Sequence, residues 1–404
     1  MSHTISRAAR VIGLDAHPDS FTAAIIHGAT PATAIVENTY HKVPLSRLAG
    51  WVNQHTAAED VFVLEASGNS FHLVRRLSQC GRAAKVLESC QMGKLKEAHA
   101  NNDKISAVRI GKAYLAGTAK EVWVPDRQTQ QRRDLFHAHR KAVKYSTQSR
   151  SSLLSYLSDN GVRPKKGVRL ATDPKAVERL RQLADWSPSQ WRVIEGLLLQ
   201  LRHAEQQRVH WHSLIAHEVA TDPQLLALMR LCGVRELIAF ALAAIIGDIH
   251  RFASPKKLVK YIGLNPAFDD SGNQQWQGGI GGHGRKDLRA LLIEAAQAIL
   301  RSHHALGNWG RKLLARRGAL CLAVAAVARK LTVAVWYLLM GRWTAVEEID
   351  QRLSIKIGKL IRHLVSPNVP SQRQARKQWR EQLCQSLQDK TLYILKAPTT
   401  ATRA

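Results

Sequence analysis

The chain has 404 residues, 45% of them hydrophobic, which is enough to build a core and argues against wholesale disorder. Lys and Arg number 59 against 31 Asp and Glu, a net charge of +28, so the expected partner is a polyanion, with nucleic acid first. Five scattered cysteines (Cys80, Cys90, Cys232, Cys321 and Cys384) with no CxxC pair disfavour a disulfide framework and a cysteine zinc site, and read as reduced thiols.

The first third alternates strands and helices. MSHTISRAARVIGLD holds no apolar signal-peptide core, so a cytoplasmic protein is expected. ARVIGLDA reads as a strand, HPDS as a turn and FTAAIIHG as the returning strand of a hairpin. TAIVENTYHKV is a third strand and LSRLAGWVNQH has helical spacing. DVFVLEAS is a buried strand, FHLVRRLSQCG a helix closed by Gly81, RAAKVLES another strand, and residues 94–115 are helical. The order β-β-β-α-β-α-β-α over residues 9–127 predicts a mixed α/β sheet.

Strand signals vanish over 128–221. Two long segments carry apolar residues every three or four positions, with Trp191, Ile194, Leu198 and Leu201 on one stripe and Ser187-Pro188 as an N-terminal cap. They predict an antiparallel coiled-coil arm, which serves equally as a linker domain or for dimerisation. Over 222–345, DPQLLALMRLCGVRELIAFALAAIIGD has the pattern of a helix-hairpin-helix, whose turn presents amides to a phosphate. SPKKLVKYIGL is a helix capped at Ser254, and Lys286 to Arg301 is another. LCLAVAAVARKLTVAVWYLLMG is interrupted by Arg329 and Lys330 and reads as a core helix, so no membrane partner is expected. Residues 346–404 form a basic helical tail.

Three acids stand at telling places. Asp15 ends the first strand, Glu65 ends VFVLE, and Asp103 opens the helix after the last strand. On a sheet of this order they converge at one end, where functional groups gather. Converging carboxylates repel unless divalent cations neutralise them. Two Mg²⁺ ions there would serve phosphoryl transfer, as in the RNase H-like fold with this element order. Two of the acids also have plain roles, Asp15 in a turn and Asp103 as a helix-start acid, whereas Glu65 after a buried run is costly without a partner.

The glycine-rich run DDSGNQQWQGGIGGHGRKDLR, residues 269–289, lacks the context of a dinucleotide or P-loop motif. It reads as a loop that admits a DNA backbone, with Arg285, Lys286 and Arg289 at a helix N-terminus. Arg329 and Lys330 either join that contact or cap a helix.

VIGLDAH, VLEASG, NDKISA, LVKYIGLNPAFDDSG, GGIGGHGRKDLRALLIEAA and AVARKLTVAVWYLL, in this order, resemble the DEDD-type insertion-sequence transposases, the family of the pilin-gene invertase and the bridge-RNA-guided recombinases. The resemblance covers residues 9–342 and leaves the tail uncovered. It implies an α/β plus all-α protein: a RuvC-like RNase H-fold domain, a helical arm and a helical transposase domain. It further implies a metal site of Asp15, Glu65 and Asp103 with Mg²⁺, and Ser271 as the nucleophile that forms a phosphoserine link to DNA. Partners so implied are DNA ends and target, a structured guide RNA, and further copies in a dimer or tetramer. The fourth acid of the pattern falls on Ser106, a neutral and weaker ligand than a carboxylate; Asp19 is the nearest alternative acid. No His-Asp pair adjoins Ser271, so the resemblance points to activation by the metal site. A metal-dependent junction nuclease and a catalytically lapsed nucleic-acid binder are the competing expectations.

Overall fold

The computed structural model describes residues 10–90, 103–165, 167–271, 274–342, 353–365 and 372–388, with side chains except at 267–278 and 387–388. The chain forms two compact units, Met1–Asp126 and Arg127–Ala404.

The first unit is built on a six-stranded sheet in the order β3-β2-β1-β4-β5-β6. Its strands are β1 (Val11–Ala16), β2 (Ser20–His27), β3 (Ile35–Pro44), β4 (Val61–Glu65), β5 (Ala83–Leu87) and β6 (Glu121–Val122). β1, β2 and β3 form the expected antiparallel meander, and β1, β4 and β5 run parallel. β6, two residues long and antiparallel to β5, has no counterpart in the sequence reading. Ile12, Leu14, Phe62 and Leu64 point to one face, against Leu48, Trp51 and Val52 of α1 (Leu48–His55) and Leu73 and Leu77 of α2 (Ser70–Gln79). Val11, Val63 and Leu87 point to the other, against Ile110 and Ala113 of α3 (Asp103–Leu115). This two-residue alternation with apolar cover on both faces explains why the central strands read as continuous apolar runs.

Gly13 decides how close α3 lies to the sheet. A Cβ there would stand 2.0 Å from the carbonyl oxygen of Ala107. Only a residue without a side chain lets the helix settle onto β1, and the first turn of that helix carries Asp103.

The second unit is helical apart from one hairpin. α4 (Arg127–Asp159) and α6 (Pro188–Thr221) pair antiparallel: Arg132 meets Glu218 and Ser146 meets Glu205. Ser187 caps α6 through the backbone N–H of Gln190, whose side chain returns to the Ser187 N–H. Between them lies α5 (Pro174–Gln182), capped by Asp173. No break separates arm and transposase domain at 221. Asp222 closes α6 and caps α7 (Pro223–Leu228), and Phe136, Ile215 and Val219 join the same core as α8 (Glu236–Ile246). Every residue of α8 except Leu237 is buried. It is the axis of the core, and it follows α7 across the short turn at 229–235.

Around α8 pack α9 (Pro255–Ile262), α10 (Lys286–Leu300), α11 (Ala305–Arg317), α12 (Leu320–Leu339), α13 (Leu353–Leu364) and α14 (Arg373–Gln388). α12 is long and apolar enough to cross a membrane, but Ala323, Val324, Val327, Leu331 and Val335 are buried in the core. Residues 266–280, read from the sequence as a loop, form a hairpin of β7 (Pro266–Ser271) and β8 (Gln274–Ile280) with Ser271 paired to Gln274. The Gly-Asn between these two residues is a hairpin-turn signal that the glycine content masked.

Candidate catalytic site

In the first unit, Asp15 and Glu65 stand one beside the other at the carboxyl ends of neighbouring parallel strands, just past the Leu14–Leu64 pair. Parallel strands leave this edge open for function. The Gly13–Ala107 approach brings the start of α3 to the same edge. Donor atoms of Asp15, His17 and Asp103 thereby lie within 4.8 Å of one another, all half-buried. His17 Nε2 is 3.4 Å from Asp103 Oδ2, and it is buried without a hydrogen bond.

The backbone that carries His17 is tied down. Its N–H donates to Ser20 O at 2.9 Å, and its carbonyl accepts from Asn69 Nδ2 at 2.5 Å. Asn69 precedes α2, so the β1–β2 turn is anchored to the loop after Glu65. The sequence reading chose acids and passed over His17, although VIGLDAH places it two residues after Asp15. Asp19, the alternative fourth acid, is exposed and lies outside this group. Ser106 is half-buried one turn after Asp103, on the same side of α3 by helical spacing.

In the second unit, Ser271 is the last residue of β7; its side chain lies outside the described residues. The basic residues after the hairpin divide by what they touch. Arg289 donates through Nη1 to the carbonyls of Gly263, Gly281 and His283 at 2.9, 3.1 and 2.8 Å. It binds the end of α9 to the glycine run. Arg285 holds Asp287 bidentately at 2.8 and 3.2 Å. Burial alone would raise the Asp287 carboxyl, but the Arg285 hydrogen bonds and charge hold it below the usual carboxylate range. Lys286 is exposed. Gly284 and Gly263 meet back to back: a Cβ on Gly284 would stand 2.7 Å from the Gly263 Cα. That contact, with φ +87° at Gly284, explains one glycine of the run by packing.

Arg329 and Lys330 lie in the middle of α12, exposed, which removes the capping reading. They line a cleft of about 370 Å³ with Lys256, Asn265 and Trp309. Lys330 Nζ sits 4.8 Å above the Trp309 ring. Three cations around an aromatic face suit a nucleic-acid strand, whose phosphates seek the charge and whose bases stack.

Residues 226–309, from α7 to the start of α11, match the family described as Transposase IS116/IS110/IS902. The chain is 25% identical over 288 residues to the transposase for insertion sequence element IS1111A of Coxiella burnetii, covering 70% of this chain and 78% of that one. It is 26% identical over 285 residues to a probable family 20 transposase of Pseudomonas aeruginosa, covering 68% and 82%. The transposase for insertion sequence element IS1328 of Yersinia enterocolitica is 23% identical over the same two shares. The matched family segment contains the β7–β8 hairpin, Ser271 and the basic start of α10. The chain is thus an enzyme of the transposase class, similar over residues 226–309 to the family described as Transposase IS116/IS110/IS902.

Proposed function

We propose that this transposase cuts and rejoins DNA strands by phosphoryl transfer through a phosphoserine on Ser271, assisted by Mg²⁺ at Asp15, Glu65 and Asp103. The observation that carries the metal part is the convergence of Asp15, His17 and Asp103 donor atoms within 4.8 Å. The donors fit a hard divalent ion. Two carboxylates supply the oxygen ligands it prefers, and a buried imidazole nitrogen without a hydrogen bond points at one of them. When bound, Mg²⁺ would stabilise charge on the phosphoryl oxygens and lower the pKa of a hydroxyl it meets. The strand-edge positions of Asp15 and Glu65, and the strand order 3-2-1-4-5, support an RNase H-like reading of this unit.

The residues of the chain divide the work. Asp15 and Asp103 would hold the ion, Glu65 would add negative charge at the same edge, and Ser106 would offer a neutral oxygen where a fourth carboxylate is expected. Ser271 Oγ forms a bond to phosphorus as one phosphate–deoxyribose ester bond breaks. The serine proton leaves with the attack, and the departing oxygen takes up a proton. A second transfer to another strand's hydroxyl breaks the serine ester, so the number of phosphodiester bonds is conserved. Lys286, Arg329 and Lys330 hold the DNA backbone. The same reading includes a structured element-encoded RNA as guide and a dimer or tetramer as the working form. A net charge of +28 suits two polyanions at once.

The test uses the full chain with element-end DNA and Mg²⁺, resolved on a denaturing gel. A DNA–protein adduct that disappears in Ser271→Ala and in Asp103→Asn supports the proposal. Cleaved DNA without an adduct would instead assign a metal-dependent junction nuclease. Binding without either product would assign a catalytically lapsed binder.

A further inference from the structure

Three titratable side chains from distant parts of the chain meet inside the helical unit, away from the residues used above. His212 comes from α6, Glu236 from the start of α8, and His363 from α13. Their donor atoms all lie within 4.8 Å of one another. His212 Nε2 is 3.4 Å and His363 Nε2 3.9 Å from the same oxygen, Glu236 Oε1. The two imidazole rings stack with centroids 4.0 Å apart, so both present the same nitrogen to the carboxylate. The Glu236 side chain is 1% exposed.

The hydrogen bonding of this cluster is incomplete. His212 Nε2 and Glu236 Oε2 are buried without a partner, despite the short approach of His212 to Oε1. A buried polar atom left unsatisfied is costly. One carboxylate oxygen, Oε1, accepts from Arg235, while Oε2 and His212 Nε2 remain without a partner. The spacing suits a different arrangement. Donors bound at about 2.0–2.1 Å to one tetrahedral ion lie roughly 3.3 Å apart, close to the 3.4 Å between His212 Nε2 and Glu236 Oε1.

Arg235 Nη2 donates to the same oxygen, Glu236 Oε1, at 2.6 Å, which leaves the buried Oε2 as the carboxylate oxygen open to a ligand. His139, from α4, packs edge-on against His212 at 5.3 Å. Both its ring nitrogens are buried without a partner, and it lies outside the group of three.

We propose that His212, Glu236 and His363 bind one zinc-class divalent cation that staples α13 to α6 and α8. Two imidazoles and a buried carboxylate are the donor set of zinc rather than of Mg²⁺. α13 is already drawn to this place by Lys356, whose buried Nζ donates to the carbonyls of Met229 and Leu231 at 2.8 and 2.7 Å. The cation completes the attachment of α13 to the core.

The test is a titration of the full chain, stripped with a chelator, with zinc and with cobalt(II) as a coloured probe. The expected result is one tight equivalent that shows the intense visible bands of tetrahedral cobalt. The oxygen-rich group at Asp15 and Asp103 would give weak octahedral bands, which separates the two sites. His363→Asn, at a half-exposed position, should lose the tetrahedral bands and the upward Tm shift that zinc gives the parent. Zinc should also shield His212 and His363 of the parent from an imidazole-modifying reagent, a measurement that needs no variant. Absence of tetrahedral cobalt in the parent, its persistence in a folded His363→Asn, or unshielded histidines would each overturn the proposal.

Discussion

The molecule holds two groups of metal-type donors, and they differ in almost every physical respect. The Asp15–His17–Asp103 group sits at a sheet edge, with His17 and Asp103 35% and 30% exposed. The His212–Glu236–His363 group is set among helices, with Glu236 1% and His212 11% exposed and His363 at its rim, 32% exposed. The first is rich in carboxylate and reachable by a large substrate. The second is rich in imidazole and closed around its carboxylate. Position follows from architecture: parallel strands end together at an open edge, whereas helices bury whatever their inner stripes carry. An open oxygen-rich group suits chemistry on a phosphate, and a closed nitrogen-rich group suits structure.

The largest effect that sharpens this contrast is on chemistry. Asp103→Asn and Ser271→Ala should each lower strand joining by about 10³-fold or more, measured with labelled element-end DNA. A merely several-fold loss in Asp103→Asn would remove the first group from the reaction. Next comes the backbone approach that assembles the open group. Gly13→Ala puts a Cβ 2.0 Å from the Ala107 carbonyl and should cost about 3 kcal/mol by chemical denaturation. An unchanged midpoint would mean that α3 is free to shift and that Asp103 is not fixed beside Asp15.

The closed group should announce itself through pH in the chelated protein. His139, held by burial at about 4, and His363, also at about 4, have folded values below the ordinary 6.5. The unfolded chain therefore binds protons first, so stability is full above pH 6.5 and falls as pH drops from 6.5 to 4. Glu236, lowered to about 2 from 4.5, adds stability that is present above pH 4.5 and lost as pH falls toward 2. His139→Phe should flatten the upper part of this curve in urea titrations; a curve of the same shape would place the protons elsewhere.

Smaller effects concern the charged surface and Ser106. Arg329→Ala and Lys330→Ala should weaken DNA binding evenly across sequences and reduce the slope of log affinity against log salt by about 1 each. An unchanged slope would leave the α12 cleft without a phosphate. Ser106→Asp restores the expected carboxylate and should raise strand joining several-fold at limiting Mg²⁺; a decrease would show that the hydroxyl is the fitted ligand.

Much of the open group was legible in the sequence because its parts are local. The apolar runs of β1 and β4 end at Asp15 and Glu65, and the start of α3 announces Asp103. His17 escaped because attention went to acids. The hairpin at 266–280 escaped because its glycines suggested a loop, and β6 because two residues carry no period. The closed group could not be found this way. His212, Glu236 and His363 lie on three helices far apart in sequence, and only the packing of α13 across α6 and α8 brings them together. Likewise, Arg285 and Arg289 looked like phosphate ligands until the fold showed them holding Asp287 and three carbonyls. Charge is visible in a sequence, but its partners are set by tertiary contacts.

The central claim is the covalent step on Ser271. Mass spectrometry of the full chain after reaction with element-end DNA, nuclease digestion and proteolysis reads it directly. The account predicts a nucleotide remnant joined through phosphate to the peptide that carries Ser271. DNA joined with no phosphate on that peptide, or with phosphate on another residue, would contradict it.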